Sequence, residues 1–119
     1  MFIRDLSKCD EFVGGDSTKL KELFNPLKDD LNLRYSLAYA IVKPNQATGN
    51  HKLKTSEVYY ILEGKGLMCI DNESEEVKEE MAIYTPPNSE QKIKNIGEKD
   101  LVFLCIVDPA WKSEDETLL

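Results

Sequence analysis

Apolar and polar residues alternate along most of this chain with a period of two, the spacing of a β-strand whose successive side chains face opposite ways. In "RYSLAYAIVK" (34–43) the larger Tyr35, Leu37, Tyr39 and Ile41 alternate with the smaller Ser36, Ala38, Ala40 and Val42, which predicts a strand covered on both faces. "EVYYILEG" (57–64) is β-branched and aromatic, and "GLMCI" follows so closely that "EGKG" reads as a tight hairpin in which glycine supplies a positive φ. Beyond it "EEVK", "AIYT", "EQKIKN" and the wholly apolar "LVFLCIV" read as strands, bounded by turns at "DNES", "PPN" and "IGEKD".

The first thirty residues are less regular. "FIRDL" reads as a short strand. Leu20, Leu23, Phe24 and Leu27 recur at helical spacing, with Asp16 or Ser17 as a cap and Asn25-Pro26 as a stop. A strand through the same residues is the alternative. The last stretch, "DPAWKSEDETLL", carries proline and acids and reads as a tail of lower order that leaves the sheet. About eight short strands and at most one short N-terminal helix make an all-β antiparallel sandwich or barrel.

The chain has 119 residues, which suits one domain with one core. Its net charge of -7 argues against nucleic acid, whose phosphates call for clustered Lys and Arg. No apolar run approaches the roughly 18–20 residues of a membrane span. The opening "MFIRDLSKCDEF" has acids where a secretory signal has an apolar stretch, so a cytoplasmic protein is expected. Cys9, Cys69 and Cys105 are then reduced thiols, the latter two small core residues within apolar runs.

Candidate chemistry starts at "GNHKLKTSEVYYILEGKG" (49–66), which holds the only histidine, His51, and Glu57 six residues on. His51, Glu57 and Gly64, followed by Pro86 and Asn95, stand at the spacing of two motifs, and the chain here resembles the cupin superfamily of small jelly-roll barrels. The first family motif is Gly, five residues, His-x-His, three or four residues, Glu, six residues, Gly. The second is Gly, five residues, Pro-x-Gly, two residues, His, three residues, Asn. In this chain Asn45 stands at the opening glycine, Leu53 at the second histidine, Glu80 and Asn88 at the glycines of the second motif, and Gln91 at its histidine.

The resemblance implies a double-stranded β-helix with its barrel core at about 34–108, an N-terminal extension 1–33 and a tail 109–119, and it implies a homodimer. Family members hold one divalent metal with three histidines and a glutamate, or bind sugars and other small molecules without metal. Carried over residue by residue, His51, Glu57 and Gln91 are the candidate ligands of a weakly bound Mn, Fe, Zn or Ni ion. Tyr39, Tyr59 and Asn95 are the candidate contacts to a small-molecule ligand. Each has a structural alternative: the tyrosines as core, Asn95 as a turn residue bonding backbone, Gln91 as a bond to a loop.

Strand geometry alone puts Glu57, Tyr59, Ile61 and Glu63 on one face, and Gln91, Ile93 and Asn95 on one face. If both faces turn inward, the barrel interior gathers an imidazole, a carboxylate and an amide. A single histidine excludes the two-histidine facial triad of non-haem iron oxygenases. Three readings follow: a metal-binding barrel with isomerase- or lyase-type chemistry, a metal-free barrel for a small polar ligand, and an oligomeric interaction module.

Overall fold

The alternating runs pair into two antiparallel sheets in a computed structural model that describes residues 1–14 and 18–119. Among the described residues the strands are β1 (Phe12–Val13), β2 (Lys19–Phe24), β3 (Ser36–Val42), β4 (His51–Leu53), β5 (Ser56–Glu63), β6 (Lys65–Ile70), β7 (Glu73–Lys78), β8 (Ala82–Thr85), β9 (Glu90–Asn95), β10 (Leu101–Asp108) and β11 (Glu116–Leu118). One sheet has the order β1-β2-β3-β10-β5-β8, the other β11-β4-β9-β6-β7. Their inner faces meet in a core of Ala40, Val42, Tyr59, Ile61, Leu101, Phe103 and Cys105 from the first and Met68, Val77 and Ile93 from the second. This is the jelly-roll arrangement expected. No helix among the described residues is long and apolar enough to cross a membrane.

Residues 19–24 form a strand rather than a helix. β2 pairs with β3 from Lys19 opposite Ile41 to Phe24 opposite Leu37, with a register shift between Glu22 and Phe24. That irregularity breaks the period of two and gives the leucines their helix-like spacing. The proposed caps, Asp16 and Ser17, lie outside the described residues. "FIRDL" is not a strand either; it leads into a short 3-10 turn at Leu6–Lys8.

The hairpin expected at "EGKG" is absent, because β5 and β6 belong to different sheets. Gly64 is the corner between them, with φ +88° and its ideal Cβ position only 2.7 Å from the Asp100 carbonyl oxygen, so a side chain there would be strained and would clash. The Gly64 N–H donates to Glu79 Oε1 at 3.0 Å. This bond and one from Glu79's own N–H, the larger effect, hold that carboxyl below its usual pKa. Asn45, Glu80 and Asn88, the three residues at motif glycine positions, also have positive φ, at 65°, 72° and 65°. The backbone shape survives where the glycines do not.

The C-terminal stretch is likewise no loose tail. Ala110 N–H donates to the Arg34 carbonyl (2.7 Å) and Trp111 N–H to Ser36 Oγ (2.9 Å). β11 then pairs with β4, Glu116 opposite Leu53 and Leu118 opposite His51. Edge pairing satisfies a backbone row that β4 would otherwise expose.

Candidate functional site

Between the sheets, near the start of β5, lies a cavity of about 90 Å³, room for a small ligand or several waters. Ser36 and Ala38 of β3, Phe103, Cys105 and Val107 of β10, and Glu57 and Tyr59 of β5 line it from one sheet. His51 and Leu53 of β4 line it from the other. The small members of the β3 alternation thus face inward and leave the space. Phe12, Glu22, Trp111 and Glu116 add to the lining from the two terminal segments.

His51 is 5% exposed, and its Nδ1 lies 2.9 Å from the Gly49 carbonyl oxygen. A carbonyl only accepts, so Nδ1 carries a proton and donates it to Gly49. Gln91 sits directly opposite His51 across β4 and β9 and is 1% exposed. Its Oε1 accepts a hydrogen bond from the Tyr59 hydroxyl. Tyr59 and Glu57 share the inner face of β5, and Glu57 is 7% exposed. The imidazole, amide, phenol and carboxylate therefore come together at this end of the barrel.

Tyr39 and Asn95 do not join them. Tyr39 pairs with Leu104 and Lys21, on the face of β3 opposite to Ala38, and so lies on the outside of the six-stranded sheet. Asn95 is buried, but its amide donates to the Val42 and Lys99 carbonyls (2.9 and 2.8 Å) and accepts from Gly97 N–H (2.9 Å). It holds the turn before β10 together, the alternative role foreseen for it.

A structural or catalytic zinc-type site draws on three or four protein ligands. The Gly49 bond orients His51 in the manner of metal-ligating histidines. Yet Leu53 offers only hydrocarbon at the second histidine position, and the oxygen of Gln91 already accepts from Tyr59. Among the described residues no group of three His, Cys, Asp or Glu side chains could hold an ion. One imidazole and one carboxylate do not fit a resident metal.

The sequence model of the Cupin domain family matches residues 38–107, more than half of the chain. The chain belongs to the cupin family. It is 41% identical over 116 residues to the uncharacterized protein MJ1618 of Methanocaldococcus jannaschii, covering 97% of this chain and 92% of that one. Among solved structures, this cupin is similar to a predicted oxalate decarboxylase of Thermotoga maritima, with TM-score 0.78 at 22% identity over 92% of this chain and 99% of the other. It is also similar to the polyketide cyclase RemF of Streptomyces resistomycificus, with TM-score 0.77 at 21% identity over 97% and 89%. At such identities the two structures share the fold with this cupin.

The residues that the motifs did not supply are those at the mouth. Trp111 Nε1 donates to Glu116 Oε2 (2.9 Å), and the fully buried Asn25 donates from Nδ2 to the Trp111 carbonyl and to Glu22 Oε2, both at 3.0 Å. This network ties β2 to the C-terminal segment across the opening. One signal was available: the only tryptophan of the chain sits in a stretch otherwise rich in acids.

Proposed function

We propose that this cupin binds a small, partly apolar organic molecule in the barrel cavity without a resident metal. The observation that carries this reading is the donor set: Leu53 and Gln91 stand where the motifs have histidines, which leaves one imidazole and one carboxylate beside an amide oxygen bonded to Tyr59. What remains is a mostly apolar cavity with a few convergent polar groups, the usual form of a small-molecule site. An imidazole and a carboxylate suit proton transfer on the bound molecule, of isomerase or lyase type. Oxalate decarboxylation and polyketide cyclisation are named for the neighbours and rest there on fold alone.

The test is the melting temperature with Mn²⁺, Fe²⁺, Zn²⁺ or Ni²⁺ against chelator, beside a panel of small organic molecules, since whatever binds only the folded state raises it. Stabilisation by organic molecules and none by the ions is expected. Near-stoichiometric metal in the purified protein, lost in Glu57→Ala, would restore the metal reading.

The same reading includes a homodimer. On the outer face of the six-stranded sheet Leu37, Ile106, Val58 and Tyr84 stand in register across four strands, and Tyr39, Leu104 and Tyr60 form the next row. Tyr60 is 40% exposed and Tyr84 63%. So continuous an apolar sheet face marks an interaction surface, and a second copy offers the same uncharged rows. Light scattering at micromolar protein should give twice the chain mass, and Ile106→Glu should give a monomer; a monomeric wild type refutes it.

A further inference from the structure

The outermost strand of a sheet presents unpaired N–H and C=O groups to any strand that approaches, and proteins shield such edges by shortness or by charge. Among the described residues three of the four sheet edges are shielded: β1 is two residues long, β11 three, and β7 carries Glu73, Glu75, Glu76 and Lys78. The fourth edge, β8, is not, since Ala82, Ile83, Tyr84 and Thr85 bear no charge. Ile61 N–H donates to the Met81 carbonyl (2.9 Å), and Tyr59 and Glu57 stand opposite Ile83 and Thr85. Alternation from Met81 turns the backbone groups of Ile83 and Thr85 toward β5, and those of Ala82 and Tyr84 toward the open side.

Beside that open side a groove runs between β8 and the other sheet. Met68, Ile70, Val77 and Ile83 give it an apolar floor, and the exposed Glu73 and Glu75 stand along it. No lysine or arginine is among its described lining residues, and neither glutamate is ion-paired with a described residue. A second copy laid on β8 would set the acidic β7 edges of the two chains against each other. We propose that β8 receives an extended segment of another protein, which continues the sheet and turns an apolar and a basic side chain into the groove. Main-chain bonds to Ala82 and Tyr84 supply affinity, the apolar floor selects one side chain, and Glu73 and Glu75 select a lysine or arginine. The groove shares no lining residue with the cavity of His51 and Glu57, so the proposal stands whatever that cavity holds.

The experiment follows the backbone amide resonances of the isotope-labelled whole protein as acetyl-Thr-Lys-Thr-Val-Thr-amide is added. A second titration uses the same peptide with Glu in place of Lys, at equal ionic strength. Saturable shifts at Ala82 and Tyr84 are expected with the lysine peptide, at an affinity about tenfold above that of the glutamate peptide. Ala82→Pro removes an open-side N–H at the first residue of an edge strand, where proline is tolerated, and should abolish the shift at Tyr84. Glu73→Gln combined with Glu75→Gln keeps the groove floor and should bring the two peptides to equal affinity. Should Ala82→Pro fail to fold, this exposed pair carries the test. No saturable shift at Ala82 and Tyr84 overturns the proposal, and so does equal affinity for the two peptides in the unaltered protein or full binding by Ala82→Pro. A mass beyond the dimer in light scattering, lowered by Ala82→Pro, would assign the edge to a second copy and overturn it as well.

Discussion

The two ends of this barrel are built by the same strands and differ in what those strands turn inward. Along β5 the inner face runs from Glu57 through Tyr59 to Ile61, along β9 from Gln91 to Ile93, and along β3 from Ser36 and Ala38 to Ala40 and Val42. At one end Ile61, Ile93 and Leu101 are 0% exposed, and a methyl group added at Gly66 would meet the Leu101 and Ile93 side chains at 3.0 and 3.1 Å. At the other end the small Ser36 and Ala38 and the polar His51 and Glu57 stand among the apolar inward residues, and a cavity opens. Close packing at the filled end supplies the burial that stabilises the fold, and the hollow end is thereby free to hold polar groups whose desolvation costs free energy.

The largest test exchanges the character of the two ends. Ile61→Ala removes three carbons from a fully buried site and should cost about 2–5 kcal/mol in chemical denaturation. Ala38→Leu adds as much volume where space already exists, and should change stability by less than about 1 kcal/mol while abolishing the rise in melting temperature given by small organic molecules. Similar losses in both variants would mean that the cavity end is packed as tightly as the other, and the contrast would fall.

At the boundary stands the Tyr59–Gln91 bond. Tyr59→Phe keeps the ring against Phe103 but withdraws the hydroxyl from an amide oxygen that is 1% exposed, and should cost about 1–3 kcal/mol. Adding Gln91→Leu removes the orphaned acceptor and should recover part of that loss. Double-mutant coupling near zero would show that the pair contributes nothing to joining the ends.

Much of the filled end was legible because period-two alternation and apolar runs are local signals: β3 and β9 lie within the runs that predicted them, and β5 and β10 reach one residue beyond theirs. Motif spacing also brought His51 and Gln91 to one place, and they are cross-strand partners. The hollow end was less legible because its parts meet through non-local pairing. β11 becomes a strand only by lying on β4, more than sixty residues earlier, and nothing within "ETL" announces that. Tyr39 and Tyr59 have the same chemistry on similar strands. Only the row of small residues at Ser36 and Ala38 indicated which side of β3 is hollow, and hence that Tyr39 faces out. At Gly64 a positive φ suited a hairpin and a corner between sheets equally well, so the residue alone did not decide which one forms.

The smallest effect concerns backbone shape at the two ends. Glu80, beside the filled end, holds φ at +72°, and its N–H donates to the Ile61 carbonyl at 3.0 Å. Asn88, near the cavity, holds φ at +65° and donates to the Leu53 carbonyl at 2.7 Å. Asparagine tolerates left-handed backbone through its short polar side chain, whereas an ordinary residue there costs about 1–2 kcal/mol. Glycine relieves that strain but gives back about 0.5–1 kcal/mol through the freedom it adds to the unfolded chain. Glu80→Gly should therefore stabilise by a few tenths of a kcal/mol to about 1 kcal/mol, and Asn88→Gly by less. Denaturation midpoints of the two variants measure the difference. A destabilised Glu80→Gly would mean that the exposed Glu80 side chain stabilises the turn by more than its backbone strain costs, and that the turn at the filled end depends on contacts beyond its shape.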